Sequence, residues 1–562
     1  MRARTLLPCL LPALAMAAAR PRLVVVISID QCSAELIQTY GPELTGGFHR
    51  LLTQGVQFTE AYQDHGFTET GPGHSVLLSG RFPAHTGIVD NEWVNRATGQ
   101  VTYCVADPTV RALDPDTAHA ASNATFLGDT LGDWLQAQVP GSRAFSISGK
   151  DRAAILMAGR HPSGVFWFTG PSGFSSSTAY MAKLPDWLVR YDHALSQRFA
   201  TQSWLWTKEP GTPEGRVASW TYGATVVRNG ALPRLIQGAG MPLGPGFTAR
   251  FDKSPFLDQV TEEGAEALVR GEHLGSVPAT DLLTVSFSAT DYIGHAYGNL
   301  GTEMRDQIHR LDQTLGRFLD VLKRHDPNVW VVLSADHGGM DVVEALQAEG
   351  FPARRVDGAA FLGALNAAMK ARFKVAADLF TAPPEPTMFY LEAAPLKAAG
   401  LDRTQVLGAA EAWLRAQPEV ARAFTATELA AVNPAATGSP RDSRISVLLR
   451  RSFRADRSGD LLVAFQPLTL FNAPPKGSAA GHGSPWAYDR RVPLVFWGPW
   501  KAAERSDPVR TVDLAPTLAR ELGIKPGAVD GKALDLGLPP GHRGAGKDAG
   551  HGNHGKGPEG TE

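Results

Sequence analysis

Four short segments place oxygen and nitrogen ligands where apolar runs stop or glycines gather. RLVVVISID ends at Asp30; DLLTVSFSATD reaches Asp291, with His295 four residues on; VWVVLSADHGG runs into the adjacent pair Asp336 and His337; and AAGHGSPWAYD holds His482 between glycines. Residues four apart share a helical face, so Asp291 and His295 can reach one ion. Glycines behind His337 and around His482 let the chain turn tightly. Three carboxylates and three imidazoles form a hard-to-borderline donor set suited to zinc, less often to manganese or iron. Each residue alone reads equally as a salt bridge or a satisfied core histidine; the set, in this order, points to a metal centre.

A hydroxyl stands where such a centre could use one. In TETGPGHSVLLSG, Thr70 precedes Gly71, Pro72, Gly73 and His74, and an apolar helical run follows. Threonine is a good helix cap, and proline near a helix start is pre-organised for it. Thr70 would then sit in the positive field of a helix N-terminus, where a phosphoryl group is also stabilised. Alone the pattern is an ordinary cap. Beside a metal centre it becomes a candidate nucleophile.

These side chains need a scaffold that collects strand ends. The runs before Asp30, Asp291 and Asp336 are continuous and rich in Val, Ile and Leu, as in strands buried on both faces. Between them FHRLLTQG, MRDQIHRLDQTLGRFLDVLKRH and DLAPTLARELGI repeat apolar residues at helical spacing. Alternating strands and helices predict an α/β three-layer sandwich with a mainly parallel central sheet, whose ligands bind beyond the carboxyl ends of the strands. Two long stretches, about 92–280 and 341–475, read as inserted caps. The stretch 341–475 has the pattern of a small α+β insert, with a helix at TQVLGAAEAWLRAQ and short strands at RISVLL and DLLVAF.

The bulk composition narrows the function. Of 562 residues 43% are hydrophobic and 20% charged, and 54 basic against 56 acidic residues give a formal charge of -2. No excess of positive charge exists to neutralise a nucleic-acid backbone or an anionic membrane. Residues 1–20, with Arg2 and Arg4 before a short apolar run that contains Pro8 and Pro12, read as a signal peptide and predict a periplasmic or secreted enzyme. No stretch is long and apolar enough for a membrane span. Beyond the leader only Cys32 and Cys104 remain, and they read equally as a disulfide or as two buried thiols. From 539 onward the chain has no apolar pattern and reads as a disordered Gly/His-rich tail.

With these residues in view, the chain resembles the alkaline phosphatase superfamily, and within it the PafA-type, threonine-dependent bacterial alkaline phosphatases. The resemblance spans Arg22 to about Leu534. It rests on VVVISID, TETGPGHSVLLSG, HTGIVDNEW, SGKDRAAILMAG, SSSTAYM, SATDYIGHAYG, SADHGG, GHGSPWAYDRRVPLVFWG and TVDLAPTLARELGI, in that order. It implies an alkaline phosphatase-like catalytic domain over 21–538, a phosphothreonine intermediate at Thr70, and two zinc ions per chain. One zinc would be held by Asp291, His295 and His482, the other by Asp30, Asp336, His337 and the Thr70 oxygen. It also implies that Asn91, Lys150 and Arg152 contact the phosphoryl oxygens, although Lys150 and Arg152 in GKDR read otherwise as a surface charge cluster and Asn91 as a turn residue.

The implied substrates are small-molecule phosphate monoesters, and a monomer is the expectation. A monoester dianion gains more from an added Lys and Arg than a diester monoanion does. The alternatives are a phosphodiesterase or phosphonate monoester hydrolase with the same metals, or a catalytically silent metal- or phosphate-binding protein.

Overall fold

The structure, a computed structural model, describes residues 20–537 apart from 115–119, 218, 223–224, 245, 436–437 and 472–477. The leader, except Arg20, and the tail from 539 fall outside the described residues. Among the described residues ten strands form one central sheet: β1 (Leu23–Ile29), β2 (Val56–Tyr62), β3 (Ala144–Ser148), β4 (Gly164–Gly170), β5 (Gly173–Ser175), β6 (Asp281–Phe287), β7 (Trp330–Ser334), β8 (Arg491–Trp497), β9 (Ala503–Arg505) and β10 (Val509–Arg510). Their order is β9-β2-β8-β7-β1-β6-β3-β4-β5, with β10 also paired to β2. The five neighbours β7, β1, β6, β3 and β4 run parallel, with Val26 of β1 opposite both Thr284 and Val332.

Every residue of β1, β6 and β7 is buried. Alternation along β1 feeds two cores: Leu23, Val25, Ile27 and Ile29 join one, Val24 and Val26 the other. Helices cover both faces. Gly47–Gln54, Phe256–Gly271 and Thr302–His325 lie on the first; Leu131–Gln138 and Leu514–Glu521 lie on the other, with a helix α1 (Thr70–Ser79). The predicted three-layer α/β sandwich is therefore the observed one.

β8 is antiparallel to both β7 and β2. Its first residue thus lies at the rim where the parallel strands end, and the loop carrying His482 enters that same rim.

Two differences from the sequence-based expectation concern the inserted stretches. The 92–280 stretch is not all cap, because β3, β4 and β5 belong to the central sheet. In the 341–475 stretch Phe380–Thr381, Met388–Leu391, Leu461–Phe465 and Val420–Thr425 form a four-stranded sheet, and Gly358–Phe373 and Arg403–Arg415 pack on it around Phe361 and Phe389. RISVLL is not a strand: Ile445–Ser452 is a helix. Tertiary contacts decide it, since the helix presents Arg451 to the Asp64 carboxylate and Ser452 Oγ to the N–H groups of Gly66 and Phe67. Cys32 and Cys104 are free, buried thiols in separate cores.

Candidate active site

The strand ends deliver the ligand set. Asp30 follows β1, its N–H donating to Phe287 O at the end of β6 (2.9 Å), and Asp336 and His337 follow β7. Beyond β6 a helix α2 (Ala289–Tyr297) carries Asp291 and His295 on one face. Close approach fixes α1 over this rim. A Cβ on Gly73 would stand 2.2 Å from Asp336 O, so a larger residue would push the helix off the centre.

The three imidazoles share one arrangement. Nδ1 of His295, His337 and His482 lies 2.9, 2.8 and 3.0 Å from the carbonyl oxygens of Ala480, Gly338 and Thr68. A carbonyl can only accept, so each ring keeps a proton on Nδ1 and, when neutral, turns an Nε2 lone pair inward. The Nε2 atoms of His295 and His482 are 3.2 Å apart and lie 3.2 and 3.4 Å from Asp291 Oδ1. His337 Nε2 is 3.2 Å from Asp336 Oδ2 and 3.5 Å from Asp30 Oδ1. Lone pairs and carboxylate oxygens that converge in this way repel one another unless a cation lies among them, and anchoring the outer nitrogen is how proteins aim metal-binding histidines.

Without an ion, protons take up part of that role. Burial, reinforced by Asp336, pushes the Asp30 carboxyl up to about 7 against the pull of Lys150. Burial and the neighbouring His337 push His482 down to about 3. Burial alone would lower His337 too, but Asp336 and Asp30 raise it to about 9. Asp30 Oδ1, Asp336 Oδ2 and His337 Nε2 are buried without a hydrogen bond of good geometry. Two overlapping groups could each hold a metal ion: Asp291, His337 and His482, and Asp30, Asp336 and His337. The donors present fit divalent metal; of the seven expected ligands His295 and the Thr70 oxygen lie in neither group, although His295 Nε2 is 3.2 Å from Asp291 Oδ1.

Thr70 is the first residue of α1 and Glu69 its cap, one residue earlier than the sequence suggested. Arg152 Nη2 donates to Thr70 Oγ1 at 3.3 Å, and its Nη1 reaches Tyr103 OH at 3.2 Å. Asn91 Oδ1 accepts from the Gly71 N–H at 2.7 Å. Lys150 is not a surface charge. Its buried ammonium lies 2.7 Å from Asp30 Oδ2 and 2.5 Å from Asp291 Oδ2, between the two ligand groups. The site opens into a cavity of about 360 Å³ whose walls include Glu69, Asn91, Arg152, His295 and His482.

A model of the type I phosphodiesterase / nucleotide pyrophosphatase family matches residues 24–467. The chain belongs to this family. Alkaline phosphatase PhoK of a Sphingomonas species is 36% identical to it over 539 residues, 92% of each chain. Alkaline phosphatase PhoD of Zymomonas mobilis is also 36% identical, over 92% of this chain and 88% of that one. The crystal structure of alkaline phosphatase PafA superposes with a TM-score of 0.80 at 25% identity, covering 93% of this chain and 100% of PafA.

In this family member an outer layer of residues, which sequence reasoning missed, steadies the ligands. His74 Nδ1 lies 2.9 Å from Thr70 O and 3.1 Å from Asp336 Oδ2, and its Nε2 meets Ser286 Oγ at 2.9 Å. The Gln31 N–H donates to Asp336 Oδ1 at 3.2 Å, from a backbone with φ of +61°. Tyr103 OH donates to Asp151 Oδ1 at 2.6 Å, so a chain of contacts ties Arg152 to its own helix. His74 was visible inside its motif. Tyr103 gave no signal, because its partners lie almost fifty residues away.

Proposed function

We infer that the chain is a metal-dependent phosphoric monoester hydrolase, and we propose that it works through a covalent phosphothreonine at Thr70 with two zinc ions. The observation that carries this reading is the convergence of three imidazoles, each with Nδ1 committed to a backbone carbonyl, with three buried carboxylates beside the Thr70 helix. Asp291, His295 and His482 would hold one ion, and Asp30, Asp336 and His337, with the Thr70 oxygen, the other. Bound there, the ions would supply the Lewis acidity that activates the hydroxyl and stabilises the leaving oxygen.

The chain's own residues do the rest. Thr70 Oγ1 attacks phosphorus as the ester P–O bond breaks, and the departing alcohol takes up a proton. Water then cleaves the Thr70–phosphate bond, releasing inorganic phosphate and restoring the hydroxyl. Arg152, already on Thr70 Oγ1, offers a planar fork to the phosphoryl oxygens, Asn91 an amide N–H, and Lys150 a point charge between the ligand groups. The leader makes this an exported enzyme in our proposal. Among the described residues no helix is long and apolar enough to cross a membrane. A phosphodiesterase with the same site is the alternative, favoured by the description of the matching family model.

Acid-quenching the zinc-loaded enzyme during turnover of an aryl phosphate should trap phosphate on Thr70, found by peptide mass spectrometry. Thr70→Ala should abolish that adduct and slow turnover by several orders of magnitude with the fold intact. Phosphate on another residue, with Thr70→Ala near wild type, would refute the nucleophile.

A further inference from the structure

Glu69 stands one residue before Thr70 and touches parts of the site that come from distant sequence. Its Oε2 accepts from Asn91 Nδ2 at 2.7 Å, while Asn91 Oδ1 accepts from the Gly71 N–H at 2.7 Å. Its carboxylate also lies 3.8 Å from His482 Nδ1 and presses on Gly483, where a Cβ would come 2.3 Å from Oε1 and the backbone has a φ of +106°.

An asparagine amide is nearly symmetric in shape but opposite in polarity at its two ends. Rotated by half a turn, Asn91 would aim oxygen rather than nitrogen at an anion. Two simultaneous contacts oppose that rotation: the Gly71 N–H can only donate, and Glu69 Oε2 already accepts from Asn91 Nδ2.

We propose that Glu69 is a positioning residue that locks the Asn91 amide with its nitrogen toward the cavity, leaving the other N–H of that nitrogen for a phosphoryl oxygen. This role rests on the phosphatase reading above. Burial, with Glu385 and Asp90 nearby, raises the Glu69 pKa well above the ordinary carboxylate range, and any charge it keeps would repel a bound dianion. Its contribution to the reaction therefore lies in the group it holds.

The test is a double-mutant cycle on the zinc-loaded, full-length enzyme, measuring kcat/KM for phenyl phosphate, the inhibition constant of inorganic phosphate, and bound zinc. Glu69→Ala removes the contact. Glu69→Asp keeps the carboxyl group but is one methylene too short. Each should lower kcat/KM about tenfold when Asn91 is present and less than twofold in an Asn91→Ala background. Phosphate inhibition should weaken in parallel, with zinc content unchanged. Glu69→Gln keeps an acceptor at the same reach and should recover most of the loss.

Equal losses in both backgrounds would overturn the proposal, as would wild-type values for Glu69→Ala and Glu69→Asp. A loss of zinc would overturn it as well, by assigning Glu69 to the His482 loop instead. If Asn91→Ala is itself inert, nothing needs positioning and this inference fails while the phosphatase reading stands. A zinc-loaded wild type that leaves phenyl phosphate intact would overturn both.

Discussion

Asp64 and Asp30 are both buried carboxylates, and their surroundings follow opposite rules. Asp64 is ringed by Arg451, by Arg490 Nη1 at 3.3 Å and by Arg510 Nε at 2.6 Å. Burial would raise its pKa, but the three guanidinium groups hold it below the ordinary carboxylate range. Asp30 sits with Asp336 and Asp291 near the ammonium of Lys150, and its pKa climbs to about 7. One cluster is complete in the protein alone and pins the 64–67 loop to the Ile445–Ser452 helix and to the β8 and β10 strand ends. In the other, Lys150 and the histidines hold Asp291 and Asp336 well below the ordinary range against burial. Asp30 is raised, and its carboxylate oxygens and Asp336 Oδ2 lack a hydrogen bond of good geometry. Buried carboxylates compensated by arginine are structural; buried carboxylates left short of positive charge mark the place where a cation belongs.

The comparison can be broken in four ways, taken from the largest expected effect. Exhaustive chelation should lower turnover by several orders of magnitude, with recovery on adding zinc, while leaving the Asp64 cluster untouched. Full activity in protein verified as metal-free would end the contrast.

Asp64→Ala should act on the other region. It strands three guanidinium groups and should cost about 3–5 kcal/mol in denaturant unfolding, with turnover per folded molecule unchanged. Because the folded pKa of Asp64 lies below its unfolded value, its stabilisation is present above the unfolded pKa and lost as pH falls through the folded one. The stability gap between wild type and Asp64→Asn should therefore be flat near neutrality and shrink on acidification.

Lys150→Ala and Arg152→Ala should each reduce monoester kcat/KM by about one to two orders of magnitude, the equivalent of roughly 1.5–3 kcal/mol, and diester kcat/KM far less. The two losses need not add, since both residues would grip one group. Equal losses on an aryl phosphate and its methyl diester would favour the phosphodiesterase reading.

The smallest effect sharpens the contrast. In metal-free protein Asp30→Asn should raise stability by about 1 kcal/mol at alkaline pH, because it removes a charge that burial and Asp336 disfavour, while zinc affinity falls. A marked drop in stability would mean that the Asp30 cluster is as structural as that of Asp64.

The sequence by itself determined the scaffold and the donor types. Unbroken Val, Ile and Leu runs can be buried only as strands covered on both faces, and each run ends at a residue whose chemistry is written in its name: Asp30, Asp291, Asp336, His337. A helix start at Thr70, before Gly71 and Pro72, was equally legible because helix-start signals are local, although the cap itself is Glu69. What the tertiary structure decided depends on partners far away in the chain. The direction of β8 brings His482 to the rim. The carbonyls of Ala480 and Thr68 set the tautomers of His295 and His482, from 185 and 414 residues away. Arg451 and Ser452 turn an apparent strand into a helix by meeting Asp64 and Gly66. Lys150 reads from sequence as a charge beside other charges; only packing shows it buried between two ligand groups. Local pattern fixes which atoms are offered, and the long-range fold fixes which lone pairs and charges face one another.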